Sequence, residues 1–128
     1  MSIKKRQAIF SLVLIDLDGF KRVNDLYGHS VGDLVLRRIA FLLRQNLRAK
    51  DIDEFAILMP GTKKEQAIAV AERLKRAVED LEIIVEGEKV SLSFSYGVVE
   101  SEDRFSSVEE MIKEADYLMY HQKKSKNL

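Results

Sequence analysis

The chain has 128 residues, 46% of them apolar, with 21 Lys plus Arg against 21 Asp plus Glu. That suits one domain spanning residues 1–128, with about two-thirds of its unfolded surface buried, and the zero net charge gives no field for nucleic acid or an anionic membrane. There is no cysteine, which excludes disulfides, thiolate zinc sites and thiol catalysis, and fits a cytoplasmic location.

The basic Met1 to Gln7 followed by apolar Ala8 to Ile15 has the outline of a short signal peptide. Asp16 and Asp18 follow where a small-residue cleavage site would stand. No apolar run approaches the ~20 residues needed to cross a bilayer, so no membrane segment is expected. Ala8 to Ile15 reads instead as a strand buried on both faces. It stops at Asp16-Leu-Asp-Gly-Phe20. Phe20 to Tyr27 reads as a short helix, and Gly28-His-Ser-Val-Gly32 as a loop. Val31, Val35, Ile39, Leu42, Leu43 and Leu47 recur at helical spacing, which predicts a helix over roughly Val31 to Arg48. Phe55 to Met59 is a short strand closed by Pro60-Gly61. Thr62-Lys-Lys-Glu65 has the form of a capping box, opening a helix with Ala67, Val70, Ala71, Leu74 and Leu81 on one face. Glu82 to Glu86 and Val90 to Glu100 read as strands around a turn at Gly87-Glu-Lys89. Ser107-Val-Glu-Glu110 caps a last helix that turns Val108, Met111, Ile112, Ala115 and Met119 inward. The fold class is α/β, an α+β sandwich with helices on a mostly antiparallel or mixed sheet. A fold class by itself names no function.

Asp16 and Asp18 share a face, because strand side chains alternate. Two adjacent carboxylates repel unless a cation lies between them, and hard oxygen ligands suit Mg2+. Asp16 is the stronger ligand candidate, as the end of the buried strand. A polar turn with solvated acids meets the same pattern. A calcium loop does not: with Gly19 at the glycine position its first ligand would be Leu14, which has no side-chain oxygen.

Asp16-Leu-Asp-Gly-Phe-Lys-Arg-Val-Asn-Asp25, then Gly28-His29 and Gly32-Asp33, resembles the first signature of GGDEF domains, the diguanylate cyclases. The resemblance continues through Arg48-Ala-Lys-Asp51, Asp53-Glu-Phe55 with the strand to Pro60, Ser95-Tyr-Gly97-Val98, and Ala115-Asp-Tyr-Leu-Met-Tyr120 with Lys123. It covers nearly the whole chain and implies a nucleotidyl-cyclase, ferredoxin-like fold. Family members condense two GTP into cyclic di-GMP, each domain holding one GTP, so a homodimer is implied for catalysis. The chemistry is phosphoryl transfer assisted by metal ions, here Mg2+.

Carried over residue by residue, Asp16 and Asp53 would bind metal, with the backbone carbonyl of Leu17. Asp53 and Glu54 form the catalytic pair, Glu54 beside the attacking hydroxyl or a second metal. Asn24 and Asp33 would read the guanine edge, since an amide and a carboxylate match its donors and acceptors. Lys21 and Lys123 would neutralise phosphates as point charges, with Lys126 in place of a following arginine. Arg48 and Asp51 have the form of the product-inhibition site. Each has a plainer alternative. The lysines can be solvated, Asn24 can cap a helix or turn, and Arg48 with Asp51, one turn apart near a helix end, can be a surface ion pair worth at most about 1 kcal/mol. His29 reads as structural, and Tyr117 and Tyr120 as packing residues.

Family members usually place several residues, two glycines among them, between the Arg-x-x-Asp acid and Asp-Glu-Phe. Here only Ile52 separates Asp51 from Asp53. Glycines let the backbone turn at positive φ and approach phosphates, which β-branched Ile resists. The expectation is a cyclase of impaired activity whose Phe55 strand has an unpaired edge; the alternative is an inactive GTP- or cyclic-di-GMP-binding module for signalling or dimerisation. An upstream Leu-Thr-Gly-Leu-x-Asn-Arg type motif, usual in the family, is not among these residues.

Overall fold

A computed structural model describes residues 9–43, 47–51, 54–102 and 104–126. In chain order the elements are β1 (Phe10–Asp18), α1 (Phe20–Tyr27), α2 (His29–Leu42), β2 (Leu47–Asp51), β3 (Glu54–Pro60), α3 (Lys64–Glu79), β4 (Ile84–Val85), β5 (Glu88–Lys89), β6 (Ser93–Glu100) and α4 (Val108–Lys126). The main sheet has the order β2-β3-β1-β6, and β4 and β5 form a small separate hairpin. Every pairing among the described residues is antiparallel, so the sheet is not mixed.

The β1 pleat divides the core in two. Val13, Ile15 and Leu17 face the cluster that includes Phe20 and Val23 of α1, Val35 and Ile39 of α2, and Ala67, Ala71 and Val78 of α3. Leu12 and Leu14 face Met111, Ala115 and Met119 of α4. The continuous apolar run is explained by helices on both sides of the strand. The α/β sandwich expected from the sequence is therefore present.

Several boundaries differ from the sequence reading. The first strand continues through Leu17, which is 2% exposed, to Asp18. The loop expected at Gly28 to Gly32 is helical from His29, so Gly28 alone separates α1 from α2. The helix expected to run to Arg48 ends at Leu42, and Leu47–Asp51 is strand β2. An apolar residue at Leu47 is compatible with a helix and with a strand, so periodicity could not separate the two. β2 pairs with β3, Asp51 opposite Glu54, with an irregularity between Ala49 and Asp51. The β3 edge expected to stand bare is therefore covered.

The α3 start also shifts. Gln66 Oε1 accepts the Lys63 N–H at 3.1 Å, a Glu100 carboxylate oxygen accepts the Lys64 N–H at 2.6 Å, and the Thr62 hydroxyl donates to the Pro60 carbonyl. The small hairpin turns at Glu86 and Gly87, both at positive φ (52° and 83°), as a two-residue hairpin loop requires. Leu81 lies beyond the end of α3, packed against the core. The expected α4 cap is present: Ser107 Oγ accepts the Glu110 N–H at 3.3 Å, while Glu110 accepts the Ser106 N–H at 2.8 Å.

Gly97 sets how closely α4 approaches the sheet. A Cβ there would lie 2.0 Å from the Ala115 carbonyl oxygen and 3.0 Å from the Met119 nitrogen. These are backbone atoms of a packed helix and cannot turn aside. Gly97→Ala is expected to cost about 3 kcal/mol, the upper end for overpacking, and to lower Tm by about 10 °C. A thermal melt of the variant within a degree or two of the parent would contradict this contact.

Candidate active site

At the carboxyl end of β1 the pleat turns Asp16 and Asp18 to the side of Leu12 and Leu14, toward α4. Asp16 pairs with Ser95 on β6 and with Glu54 on β3. Directly opposed residues share a face, so Glu54 and Ser95 flank Asp16 on the same side of the sheet. Ser95 is fully buried, and its hydroxyl donates to the Asp18 carboxylate at 3.0 and 3.2 Å.

The last turns of α4 cover these groups. Gln122 Oε1 accepts the Tyr96 backbone N–H at 2.9 Å, tying the helix to β6 one residue before Lys123. Lys123 Nζ then lies 3.2 Å from Asp16 Oδ2 and 3.1 Å from Asp18 Oδ1. Burial pulls the Lys123 pKa down, but hydrogen bonding to Asp18 and the charge of Asp16 outweigh it, and the net shift is upward. With three carboxylates (Asp16, Asp18, Glu54) and one ammonium, the group carries about two net negative charges when all are ionised.

A second constellation lies at the junction of α1 and α2. A Cβ on Gly32 would sit 1.8 Å from Asn24 Oδ1. The absence of a side chain there lets the half-buried Asn24 lie against α2, one residue from the exposed Asp33. Lys21 is exposed in the first turn of α1.

The remaining candidates separate. Asp53 lies outside the described residues. Arg48 and Asp51 belong to β2, not to a helix end. Lys126 is the last residue of α4, and His29 is exposed at the start of α2. Tyr117 and Tyr120 do not pack into the core as expected. They are 60% and 55% exposed and set their rings against His121, at 4.4 and 6.1 Å between centroids. A residue on the outer side of an amphipathic helix escapes burial whatever its apolar character.

Tyr96 gives the site a rigid neighbour. Its hydroxyl donates a short hydrogen bond to Glu72 of α3. Burial first, then the hydrogen bond and charge of Glu72, push the phenol up to about 12, against a smaller opposing effect of Gln122. A folded-state pKa raised above the unfolded value near 10 gives stability that is complete below about pH 10 and is lost as pH rises toward 12. Between absorbance titrations of parent and Tyr96→Phe proteins, the missing step is expected near pH 12, and the variant's Tm is expected to fall less over that window. A missing step near pH 10 would contradict it.

The donor set suits a magnesium-like cation. Among the described residues no three His, Asp or Glu side chains converge into a ready cage. Mg2+ needs none, being held by one or two carboxylates with water and phosphate oxygens completing its shell. The cationic Nζ within 3.2 Å of both aspartates marks a place where positive charge is favoured. One surface hollow, of about 600 Å3, lies at the other end of β3 among Leu42, Met59 and Leu74, away from the acids. Another, of about 460 Å3, opens beside Asp18 between Gly19, Arg22 and Ser93.

Fold and site thus define an antiparallel α/β sandwich with an acidic strand end beneath a lysine of the last helix. The family model described as "Diguanylate cyclase, GGDEF domain" matches residues 1–127. The chain is 32% identical over 127 residues to Diguanylate cyclase A of Treponema denticola, covering 94% of this chain and 34% of the relative. The diguanylate cyclase SiaD of Pseudomonas aeruginosa, solved in complex with its activator SiaC, superposes with a TM-score of 0.82 at 32% identity, over 95% of this chain and 49% of that one. The GGDEF domain of FimX from the same organism gives a TM-score of 0.85 over 94% of this chain and 78% of that one; at 24% identity it shows the fold alone. The chain belongs to the GGDEF family of diguanylate cyclase domains. It spans about a third of the length of the Treponema relative. Among the described residues no helix is long and apolar enough to cross a membrane.

Three contributors have more part in the site than the sequence reading gave them. Asp18, read as the weaker member of the pair with Asp16, shares Lys123 equally with it. Ser95 was visible in the Ser-Tyr-Gly match but carried no role. Gln122 had no signal, because its partner is a backbone N–H on a strand 26 residues away in sequence.

Proposed function

We propose that this domain condenses two GTP molecules into cyclic di-GMP with Mg2+, working as a homodimer. The observation that carries the reading is the register Asp16↔Glu54. Despite the short connection before it, Glu54 of Asp-Glu-Phe lies beside Asp16, the acid that opens the first motif.

Asp16, Asp53 and the Leu17 carbonyl are the groups assigned to the metal. When bound, Mg2+ would supply positive charge to the phosphates of GTP. Asn24 and Asp33 take the guanine edge, and Gly32 keeps the two adjacent. Lys21 and Lys123 meet the polyphosphate. Glu54 stands where the 3′-hydroxyl of the second GTP arrives, and accepts its proton. The new bond joins that oxygen to the α-phosphorus and pyrophosphate departs; the same step between the other 3′-hydroxyl and α-phosphorus closes the ring and releases a second pyrophosphate. In-line approach requires the second GTP to come from a facing domain. Arg48 and Asp51, on β2, are assigned to product inhibition.

Turnover is expected to be reduced, because only Ile52 separates Asp51 from Asp-Glu-Phe, with none of the glycines the family places there. That observation also favours a second reading, a domain that binds GTP or cyclic di-GMP without turnover and signals by binding. A Mg2+-dependent GTP assay at high protein concentration, with calorimetry of GTP and cyclic di-GMP on the same samples, separates the two. Product formation supports the cyclase, and binding without product supports the sensing module. A Tm indifferent to every guanine nucleotide sinks both, since a ligand at a hundredfold excess over Kd stabilises by about 2.7 kcal/mol.

A further inference from the structure

Lys123 stands where the site favours a cation. Its ammonium reaches Asp16 and Asp18 at 3.2 and 3.1 Å, and the three side chains are 29%, 17% and 24% exposed respectively. Its placement is built into the fold. Gly97 lets α4 descend onto the sheet, Gln122 fastens the helix to the Tyr96 N–H, and the Ser95 hydroxyl holds Asp18. A half-buried pair of carboxylates without a cation would be costly, and the ammonium relieves that cost within the chain itself.

We propose that Lys123 is a resident counter-cation, which closes the Asp16–Asp18 pair to free divalent metal and yields it to metal that arrives with polyphosphate. The inference rests on the metal-site reading above and extends it to how the site is loaded. One cation replaces another on the same two carboxylates, with no covalent change. A lone divalent ion must displace the ammonium into water and lose a close ion pair. A nucleotide polyphosphate brings its own anionic oxygens, onto which the released ammonium can move. Metal and nucleotide therefore bind with positive coupling, each raising the affinity of the other by the same factor.

The test is calorimetric titration of Mn2+, as the probe metal, into the nucleotide-free whole chain. Parent, Lys123→Met and Lys123→Arg proteins are compared, with thermal melts in chelator and in Mn2+. Removing one positive charge a few ångströms from the metal position is expected to tighten Mn2+ binding about tenfold or more in K123M. The K123M melt should fall in chelator and recover with Mn2+, while K123R stays near the parent. Unchanged or weaker Mn2+ binding by K123M overturns the proposal. Should K123M fail to fold without metal, Lys123→Gln, which keeps a polar group of similar reach, carries the same comparison. Failure of the parent to bind GTP with Mg2+ would remove the cyclase reading and leave the exchange to stand on the Mn2+ titration. A parent that makes cyclic di-GMP beside a K123M of unaltered Mn2+ affinity would remove the exchange and leave the cyclase.

Discussion

Asp16→Asn is expected to lower cyclic di-GMP formation about a thousandfold while the fold survives. Asn has the shape of Asp, so the side chain at this 17% exposed position still fits beneath α4. Lys123 keeps Asp18 at 3.1 Å, so its ammonium is not stranded and Tm should move by only a few degrees. What disappears is the negative charge opposite Glu54 at the end of the strand. Charge stabilisation at a phosphoryl-transfer centre is commonly worth several kcal/mol, and about 4 kcal/mol corresponds to about a thousandfold in rate. Product quantified by chromatography, with a melt of the same sample, checks both halves. A folded variant within tenfold of the parent would show that Asp16 does not hold the metal.

The double substitution Asp51→Gly with Ile52→Gly is expected to raise turnover, by up to about a hundredfold if the short sequence before Glu54 misplaces the acids by an ångström or so. Asp51 pairs with Glu54 at the end of the β2–β3 ladder, so a change at Asp51 acts on the strand end that holds the carboxylate proposed to take the proton. Ile disfavours positive φ, whereas glycine accepts it and lets backbone amides approach phosphates. The strand end should weaken by about 0.5–1 kcal/mol for each glycine, a small fall in Tm that identifies a folded variant. Initial rates at saturating GTP and Mg2+ decide the matter. An unchanged rate in a folded protein would place the limit elsewhere and remove the ground for expecting a reduced parent activity.

The sequence by itself determined that β1 is buried on both faces, because eight nearly continuous apolar residues can be covered only by layers on both sides. It also placed Asp16 and Asp18 together, since the strand period of two is local geometry. The block from Asp16 to Asp33 carried the family, and the α4 cap at Ser107 and Glu110 was legible because caps are local as well. Tertiary structure decided what lay beyond the reach of local pattern. The apolar Leu47 fits a helix face and a strand face equally, and pairing with β3 made it a strand. Glu54 came to Asp16 through antiparallel register, which depends on hydrogen bonds between segments about forty residues apart in sequence. Lys123 read, through the family resemblance, as a partner for phosphate, with no sign that it meets the acidic pair. It became the cation of the acidic pair because Gly97 and the Gln122 bond bring α4 down over β6 and β1. Those contacts join residues distant in sequence, and only the packing of a helix on a sheet makes them neighbours.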